Sequence, residues 1–176
     1  PQLYLQLVRD GSKLASDTPF YSTFTGPAVY TTEQKFQKVE FSDIEKNKAE
    51  FQKEATDGYV SMVQHYFAGA WILPAGVKRE NFVRKVDTSL YSVGMIAPLQ
   101  PVAPGASQAV AATLFAGPQQ EKMLESVAPG LDLVKDYGIF TILAKPLYWL
   151  LDRLHGFIGN WGWSIMALVL LIKIAF

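Results

Sequence analysis

The feature that most constrains this chain is the apolar run over residues 161–176, in which Ser164 and Lys173 are the only side chains that are clearly polar. Trp161 and Trp163 open the run. A helix rises about 1.5 Å per residue, so residues 163–176 would extend about 21 Å, whereas the hydrocarbon core of a bilayer is about 30 Å thick. The last carbonyls of such a helix would lack partners, which is costly in lipid. We therefore expect the start of a transmembrane helix that continues beyond residue 176, in a fragment of a larger membrane protein.

Formal charges balance over the whole chain and become sparse towards its end. There are 16 Lys and Arg residues against 16 Asp and Glu residues. No general field therefore attracts nucleic acid, and we expect no nucleic-acid partner. After residue 145 the only formal charges are Asp152, Arg153 and Lys173, whereas residues 1–145 have the composition of a soluble domain. The absence of cysteine excludes thiolate chemistry, cysteine metal sites and disulfides.

Residues 1–118 are predicted to be mainly β. Short segments rich in β-branched and aromatic residues alternate with turn sequences such as Asp10-Gly11 and Asp57-Gly58. The predicted strands cover residues 3–9, 20–25, 59–71, 82–86, 89–97 and 109–116. This spacing favours a sandwich or barrel over βαβ units. Leu3, Leu5 and Leu7 would share one face of the first strand, and that alternation is already under way at the start, so we expect the domain to be incomplete at its N-terminus.

Two further segments of this region have their own patterns. Half of residues 33–54 are charged, with interspersed signs. That pattern is typical of a solvated hairpin or helical turn, and a docking surface for a partner protein is the alternative. Residues 119–127 are predicted to form a helix that Pro118 introduces and Pro129-Gly130 ends. Residues 131–138 fit either a helix or an irregular connector.

A second helix is predicted over residues 146–158, beginning at Pro146. One face carries an apolar stripe at helical spacing, formed by Leu147, Leu150, Leu151, Leu154 and Ile158. Such a stripe could pack on a soluble core. Only Gly159 and Asn160 separate this helix from the apolar run, which favours an amphipathic helix lying in the membrane interface, with Gly159-Asn160 as an elbow. Trp149, Trp161 and Trp163 fit the aromatic belt at that depth.

The remaining polar candidates do not form a catalytic set. Lys173 fits an anchor at the cytoplasmic end of a span, and a functional charge within the membrane is the alternative. His65, in a predicted strand, fits a structural histidine, and His155 fits an interfacial polar residue. The sequence contains no nucleophile elbow, zinc-binding His-Glu-x-x-His, phosphate loop or calcium loop. We therefore expect no enzymatic activity, no cofactor and no metal.

Several segments resemble the YidC family of bacterial membrane-protein insertases. The most specific matches are APGLDLVKDYG at residues 128–138, KPLYWLL at 145–151 and HGFIGNWG at 155–162. Weaker matches are GPAVYTT at residues 26–32, QHYFAGAWI at 64–72 and TLFAGPQ at 113–119. Together they extend over nearly the whole chain.

The resemblance implies a fold, a location and an activity. The fold would be a periplasmic β-supersandwich like that of galactose mutarotases, over residues 1–118, followed by a helix and connector at 119–145. The interfacial helix at 146–158 and the start of the second transmembrane helix at 161–176 would follow. The parent would be a multi-pass protein of the bacterial inner membrane, with most of this fragment in the periplasm.

By the same resemblance, the parent protein would insert and fold nascent membrane proteins, alone or with the Sec translocon and its accessory subunits, and hydrolyse nothing. The arginine of the family's hydrophilic groove would lie beyond residue 176, and Lys173 does not take its place. Two alternatives remain at this point. The chain could be a membrane-tethered periplasmic module that binds or isomerises sugars, or a docking platform for translocon subunits.

Overall fold

The computed structural model describes residues 1–12, 24–135 and 141–175. The chain divides into two compact units, Pro1–Asp136 and Tyr137–Phe176. In the described residues, the first unit holds the β-sheets and the second consists of two helices.

Within the described part of the first unit, the strands form two antiparallel sheets. The first strands along the chain are β1 (Gln2–Asp10), β2 (Gly26–Thr31), β3 (Lys35–Lys38), β4 (Glu54–Ala55) and β5 (Tyr59–Val63). They are followed by β6 (Phe67–Ile72), β7 (Arg79–Lys85), β8 (Leu90–Pro98) and β9 (Thr113–Pro118). One sheet has the order β1-β8-β7-β4 and the other has the order β3-β2-β5-β6-β9. Antiparallel sheets followed by helices confirm the predicted fold class.

The two sheets bury a shared apolar layer because their strands alternate inward and outward residues. In β1, Leu5 pairs with Met95 and Leu7 pairs with Val93, so the predicted face of leucines points inward. The other sheet contributes Val29, Val60 and Met62 to the same core cluster. The alternating leucines of β1 therefore lie on the inner face of a β-sandwich.

The predicted strand at residues 59–71 is wrong as a single element. It is a hairpin in which Gln64 N–H donates to the carbonyl of Phe67 over 2.8 Å, and His65 and Tyr66 form the turn. His65 therefore lies outside the strands, with its ring edge against Tyr66 at 4.2 Å between centroids. No glycine or proline occurs between Val63 and Phe67, so this stretch lacks the residues that usually mark a turn.

Two other strand boundaries differ from the prediction. Most of the strand predicted at residues 20–25 lies outside the described residues, and the described strand in this region begins at Gly26. The strand predicted at 109–116 is observed as β9, shifted towards the C-terminus, while residues 109–112 are exposed and carry no strand. Small residues such as alanine fit an exposed loop as readily as a strand, which explains the shift.

The charged segment at residues 33–54 contains both of the structures expected for it. It supplies β3, which pairs with β2, then the short helix α1 (Phe41–Glu45), and it ends at the start of β4. Val39 and Ile44 anchor it against Tyr91 in a small core cluster. Glu45 Oε1 accepts hydrogen bonds of 2.7 Å from both Lys85 Nζ and the Tyr91 hydroxyl. These two donors lower the pKa of Glu45 below its ordinary value.

A second apolar cluster lies on the opposite face of the five-stranded sheet. It is covered by the helix α2 (Glu121–Val127) and by a 3-10 helix over Leu131–Val134, which is the observed form of the first half of the ambiguous connector. Leu124, Leu131 and Val134 have no exposed surface. They pack with Ala68, Ala70 and Phe115 of the sheet.

Two tyrosines fasten the turn between these helices to the sheet. Gly130 has φ 75°, in the left-handed region, and a Cβ added to it would collide with the Tyr30 ring. The Tyr59 hydroxyl donates to the Gly130 carbonyl over 2.7 Å. The rings of Tyr30 and Tyr59 stack at 5.1 Å with an angle of 11° between their planes. We call Tyr30, Tyr59 and Gly130 the tyrosine clamp.

One buried arginine holds two loops of the sandwich together. Arg79 is 3% exposed. Its guanidinium donates to the carbonyls of Thr56 and Gly58, which lie in the loop between β4 and β5. It also donates to the carbonyls of three residues between β6 and β7, Leu73, Pro74 and Val77. Burial lowers the pKa of Arg79, and the negative charge of Asp57 opposes this effect.

Candidate functional site

The candidate site is the pair of helices in the second unit, α3 (Thr141–Ile158) and α4 (Trp161–Ala175), which contact each other. The observed α3 begins five residues before the predicted start at Pro146, which lies inside the helix. A proline lacks the N–H that would bond the carbonyl four residues earlier. At this position the affected carbonyl belongs to the second residue of α3, so the helix continues through the proline. The prediction of Pro146 as the helix start is therefore wrong.

The structure places most of the predicted apolar stripe on one side of α3, only partly accessible. Leu147, Leu150, Leu151 and Leu154 are half-buried, and Ile158 is exposed. Trp149 does not belong to this face, because two residues turn a helix by about 200°. Its ring is 60% exposed, with the Arg153 guanidinium 5.5 Å from the ring centroid. The predicted stripe and the predicted tryptophan thus lie on opposite sides of α3.

Phe157 is the exposed apolar residue on α3 that the sequence reasoning missed. Its side chain is 96% exposed. It follows Leu150 by seven residues, a spacing that places the two on neighbouring positions around the helix. That spacing was the available signal, and it would have widened the predicted stripe on the Leu150 side.

The helix α4 exposes large apolar side chains over most of its surface. Trp161 is exposed, Trp163 is 64% exposed and Ile174 is 75% exposed. Ile165, Met166, Val169, Leu170 and Leu171 are exposed as well. Lys173 lies exposed in the last turn. At 15 residues α4 extends about 22 Å. Among the described residues, no helix combines the length and the hydropathy needed to cross a bilayer.

The link between α3 and α4 is formed by Gly159 and Asn160, the predicted elbow. Gly159 has φ 72°, and its N–H donates to the carbonyl of His155 over 2.7 Å, which ends α3. Asn160 caps α4, because its Oδ1 accepts from the backbone N–H groups of Gly162 at 2.9 Å and Trp163 at 3.3 Å. An asparagine directly before an apolar helix was a cap signal, and the sequence reasoning interpreted it only as a bend.

A ring stack also joins the two helices at this link. The His155 imidazole lies on the Trp161 indole, with 3.8 Å between ring centroids and 13° between ring planes. Sequence reasoning placed His155 in the interface as an isolated polar residue and did not foresee this contact. The two residues are six positions apart across the elbow, so helical periodicity carried no signal for it.

The first unit has a surface groove of about 810 Å³ at one rim of the sandwich. Its lining includes Glu54 and Glu80, which lie directly opposite each other in β4 and β7. Like charges in that position weaken a strand pair. The sequence reasoning found no two carboxylates placed together, so this pair was missed. Both side chains are exposed, and among the described residues no three metal-ligating side chains are grouped.

Comparison with known proteins decides the family. A family model described as the YidC periplasmic domain matches residues 1–150. The chain belongs to the YidC family. The resemblance found in the sequence is thereby confirmed.

Curated relatives within the YidC family match the whole chain. A membrane protein insertase YidC from Janthinobacterium sp. (strain Marseille) is 58% identical over 176 residues, which is 100% of this chain and 31% of the relative. Relatives of the same name from Burkholderia mallei (strain SAVP1) and Burkholderia pseudomallei (strain 668) are each 56% identical over 177 residues. The chain spans 31% of their length as well. These names do not favour the alternative of a sugar-binding or docking module.

Proposed function

We propose that this chain is part of a protein that inserts and folds membrane proteins, and that the helix pair α3–α4 is its contact with the lipid bilayer. Nascent membrane proteins and the bilayer are the proposed partners, together with the Sec translocon and its accessory subunits. The proposed location is the bacterial inner membrane, with the first unit in the periplasm. The relatives are named membrane protein insertases, which supports the activity.

The observation that carries this proposal is the concentration of exposed apolar side chains on α3 and α4. Phe157, Trp163 and Ile174 are each more than 60% exposed. Burying a large apolar side chain releases about 1.5–3 kcal/mol, so a surface of this kind favours transfer into an apolar phase. The tryptophans suit the headgroup region, where the ring is partly apolar and the indole N–H is solvated.

Within this proposal each segment has a separate role. Residues 1–118 form the periplasmic sandwich and residues 119–135 its helical end. Residues 146–158 lie in the interface, and residues 161–176 begin the transmembrane helix that Lys173 anchors at the cytoplasmic side. The predicted interface residues are Leu147, Trp149, Leu150, Leu151, Leu154, Ile158, Trp161 and Trp163. Because Trp149 lies opposite the leucine stripe, we place it towards the headgroups and the leucines towards the acyl chains.

The mechanism that fits this arrangement lowers the cost of moving polar segments across lipid. An apolar helix face inserted at the headgroup level, as proposed for α3, displaces headgroups and thins the bilayer locally. A polar segment of a client then crosses less hydrocarbon. No side chain of this chain takes a catalytic role in that process.

Tryptophan fluorescence quenching tests the bilayer contact. The chain is reconstituted in vesicles that contain lipids brominated on the acyl chains, in versions that keep one tryptophan and replace the other three by phenylalanine. We expect strong quenching of Trp163 and weaker quenching of Trp149. Trp71, whose indole N–H donates to the Gln6 carbonyl over 3.1 Å within the sandwich, is the control and should not be quenched. Equal quenching of Trp163 and Trp71 would refute the contact.

A client-insertion assay tests the function. Phe157→Ser and Trp163→Ser are introduced into the full-length protein, and insertion of a membrane protein into vesicles is measured. We expect both variants to insert less client. Tyr66→Ser is the matched control, because Tyr66 is 70% exposed but lies in the first unit. If Tyr66→Ser reduced insertion as much as the other two, the proposed role of the helix pair would be wrong.

A further inference from the structure

The elbow between α3 and α4 is held by interactions within the chain itself. The direction of the chain changes over Gly159 and Asn160 alone. The left-handed φ of 72° at Gly159 fixes the first half of this change. A residue with a Cβ rarely adopts that conformation, although the space around Gly159 would admit one. The constraint at this position is therefore one of backbone conformation and owes nothing to packing.

Asn160 fixes the second half through both its side chain and its backbone. Its Oδ1 accepts from the N–H groups of Gly162 and Trp163. Its carbonyl accepts from the Ser164 N–H at 3.1 Å and from the Ser164 hydroxyl at 2.7 Å. Ser164 has no exposed surface. Asn160 thus accepts from the N–H groups of three successive residues in the first turn of α4, which need no lipid headgroup as a partner.

The stack of His155 on Trp161 is a side-chain contact across the elbow. His155 lies in the last turn of α3 and Trp161 is the first residue of α4, so the contact joins the two helices directly. Two nearly parallel rings 3.8 Å apart restrict the side-chain rotation of both residues. A change in the angle between the helices would separate the rings.

We propose that His155, Asn160 and Trp161 are positioning residues that set the angle between α3 and α4 before the bilayer acts on it. The angle at which α4 leaves the interface is then encoded in the chain and is the same in different surroundings. The inference rests on the proposed function only for its consequence, which is that client insertion depends on this angle.

Distance measurements between spin labels test the angle directly. Tyr148→Cys and Val169→Cys are introduced into the full-length protein, with any native cysteine outside this segment replaced, since this segment has none. The distance between the labels is measured by pulsed electron paramagnetic resonance in detergent micelles and in lipid nanodiscs. We expect one narrow distance, equal in both media. A shift between micelles and nanodiscs would overturn the proposal.

Variants of the brace give the second measurement. In His155→Ala we expect a second, displaced distance beside the narrow one, because loss of an aromatic contact shifts the equilibrium between two helix angles roughly two- to tenfold. In His155→Phe, which keeps a ring at this position, we expect the narrow distance to return. Arg153→Ala is the matched control, because it removes a ring contact that lies within α3. Asn160→Ala should broaden the distances through the separate loss of the cap.

The two distance measurements separate an error about the elbow from an error about the proposed function. If His155→Ala and Asn160→Ala both keep the wild-type distance, the elbow is not set by these residues, whatever the insertion assay shows. If the distances change and insertion does not, the angle has no role in insertion. Reduced insertion in His155→Ala that His155→Phe restores would support the proposal. Absence of quenching at Trp163 by brominated lipid would refute the bilayer contact and leave the distances unaffected.

Discussion

The Tyr59 hydroxyl supplies a well-defined perturbation, because Tyr59→Phe removes one donor and keeps the ring. The ring is 2% exposed, and its stack on Tyr30 survives the substitution. The Gly130 carbonyl loses its 2.7 Å hydrogen bond from the Tyr59 hydroxyl. Losing such a bond and leaving a part-buried carbonyl without it costs about 1–2 kcal/mol. Burial raises the pKa of Tyr59, and the negative charge of Asp132 adds to this, so the hydroxyl stays a donor over the working pH range.

Amide hydrogen exchange measures the loss of stability in the 3-10 helix that follows Gly130. We expect the amides of Leu131–Val134 to exchange about 5- to 30-fold faster in Tyr59→Phe, which is the change in opening equilibrium that about 1–2 kcal/mol produces. Tyr4→Phe is the matched control, because Tyr4 is 41% exposed and donates to Gln6 on the outer face of the sandwich. If Tyr59→Phe accelerated exchange no more than Tyr4→Phe, the reasoning about the tyrosine clamp would be refuted.

Two further predictions concern the sandwich. The pKa of Glu45 is lowered, so its bonds with Lys85 and Tyr91 stabilise the fold above the ordinary carboxyl pKa and are lost as the pH falls. Stability measured by urea unfolding should therefore fall less between pH 5 and pH 3 in Glu45→Gln than in wild type. Equal slopes of stability against pH in the two proteins would contradict this. Arg79→Met should lower the free energy of unfolding by about 3 kcal/mol or more, because five main-chain carbonyls lose their donor. The exposed Arg84→Met should change the free energy of unfolding little in the same urea experiment.

The sequence predicted the features that depend on local periodicity. The alternating leucines of β1 appear on the inner face of a sandwich because the period of a strand is two residues. The leucines of α3 share one face because helical spacing repeats over the segment. In both cases the pattern of side chains along the chain is itself the signal, so no tertiary information was needed.

The features that the sequence did not predict depend on contacts across the chain. His65 lies in a turn although the flanking residues look like one continuous strand, because pairing of β5 with β6 decides where the chain reverses. The stack of His155 on Trp161 requires the elbow to be in place first. Neither of these contacts has a periodic signature.

The bonds of Arg79 have a consequence for how this domain can vary. All five acceptors are main-chain carbonyls, so no side chain of the two loops takes part in them. The exposed side chains of Thr56 and Pro74 can therefore be exchanged for others without removing a bond, provided that the course of the backbone is kept. Arg79 has no such freedom, because lysine presents a single ammonium group where a planar fork reaches two loops at once. Exposed positions of these loops should therefore tolerate substitution whereas Arg79 should not, and saturation libraries at residues 56, 74 and 79 would display that asymmetry.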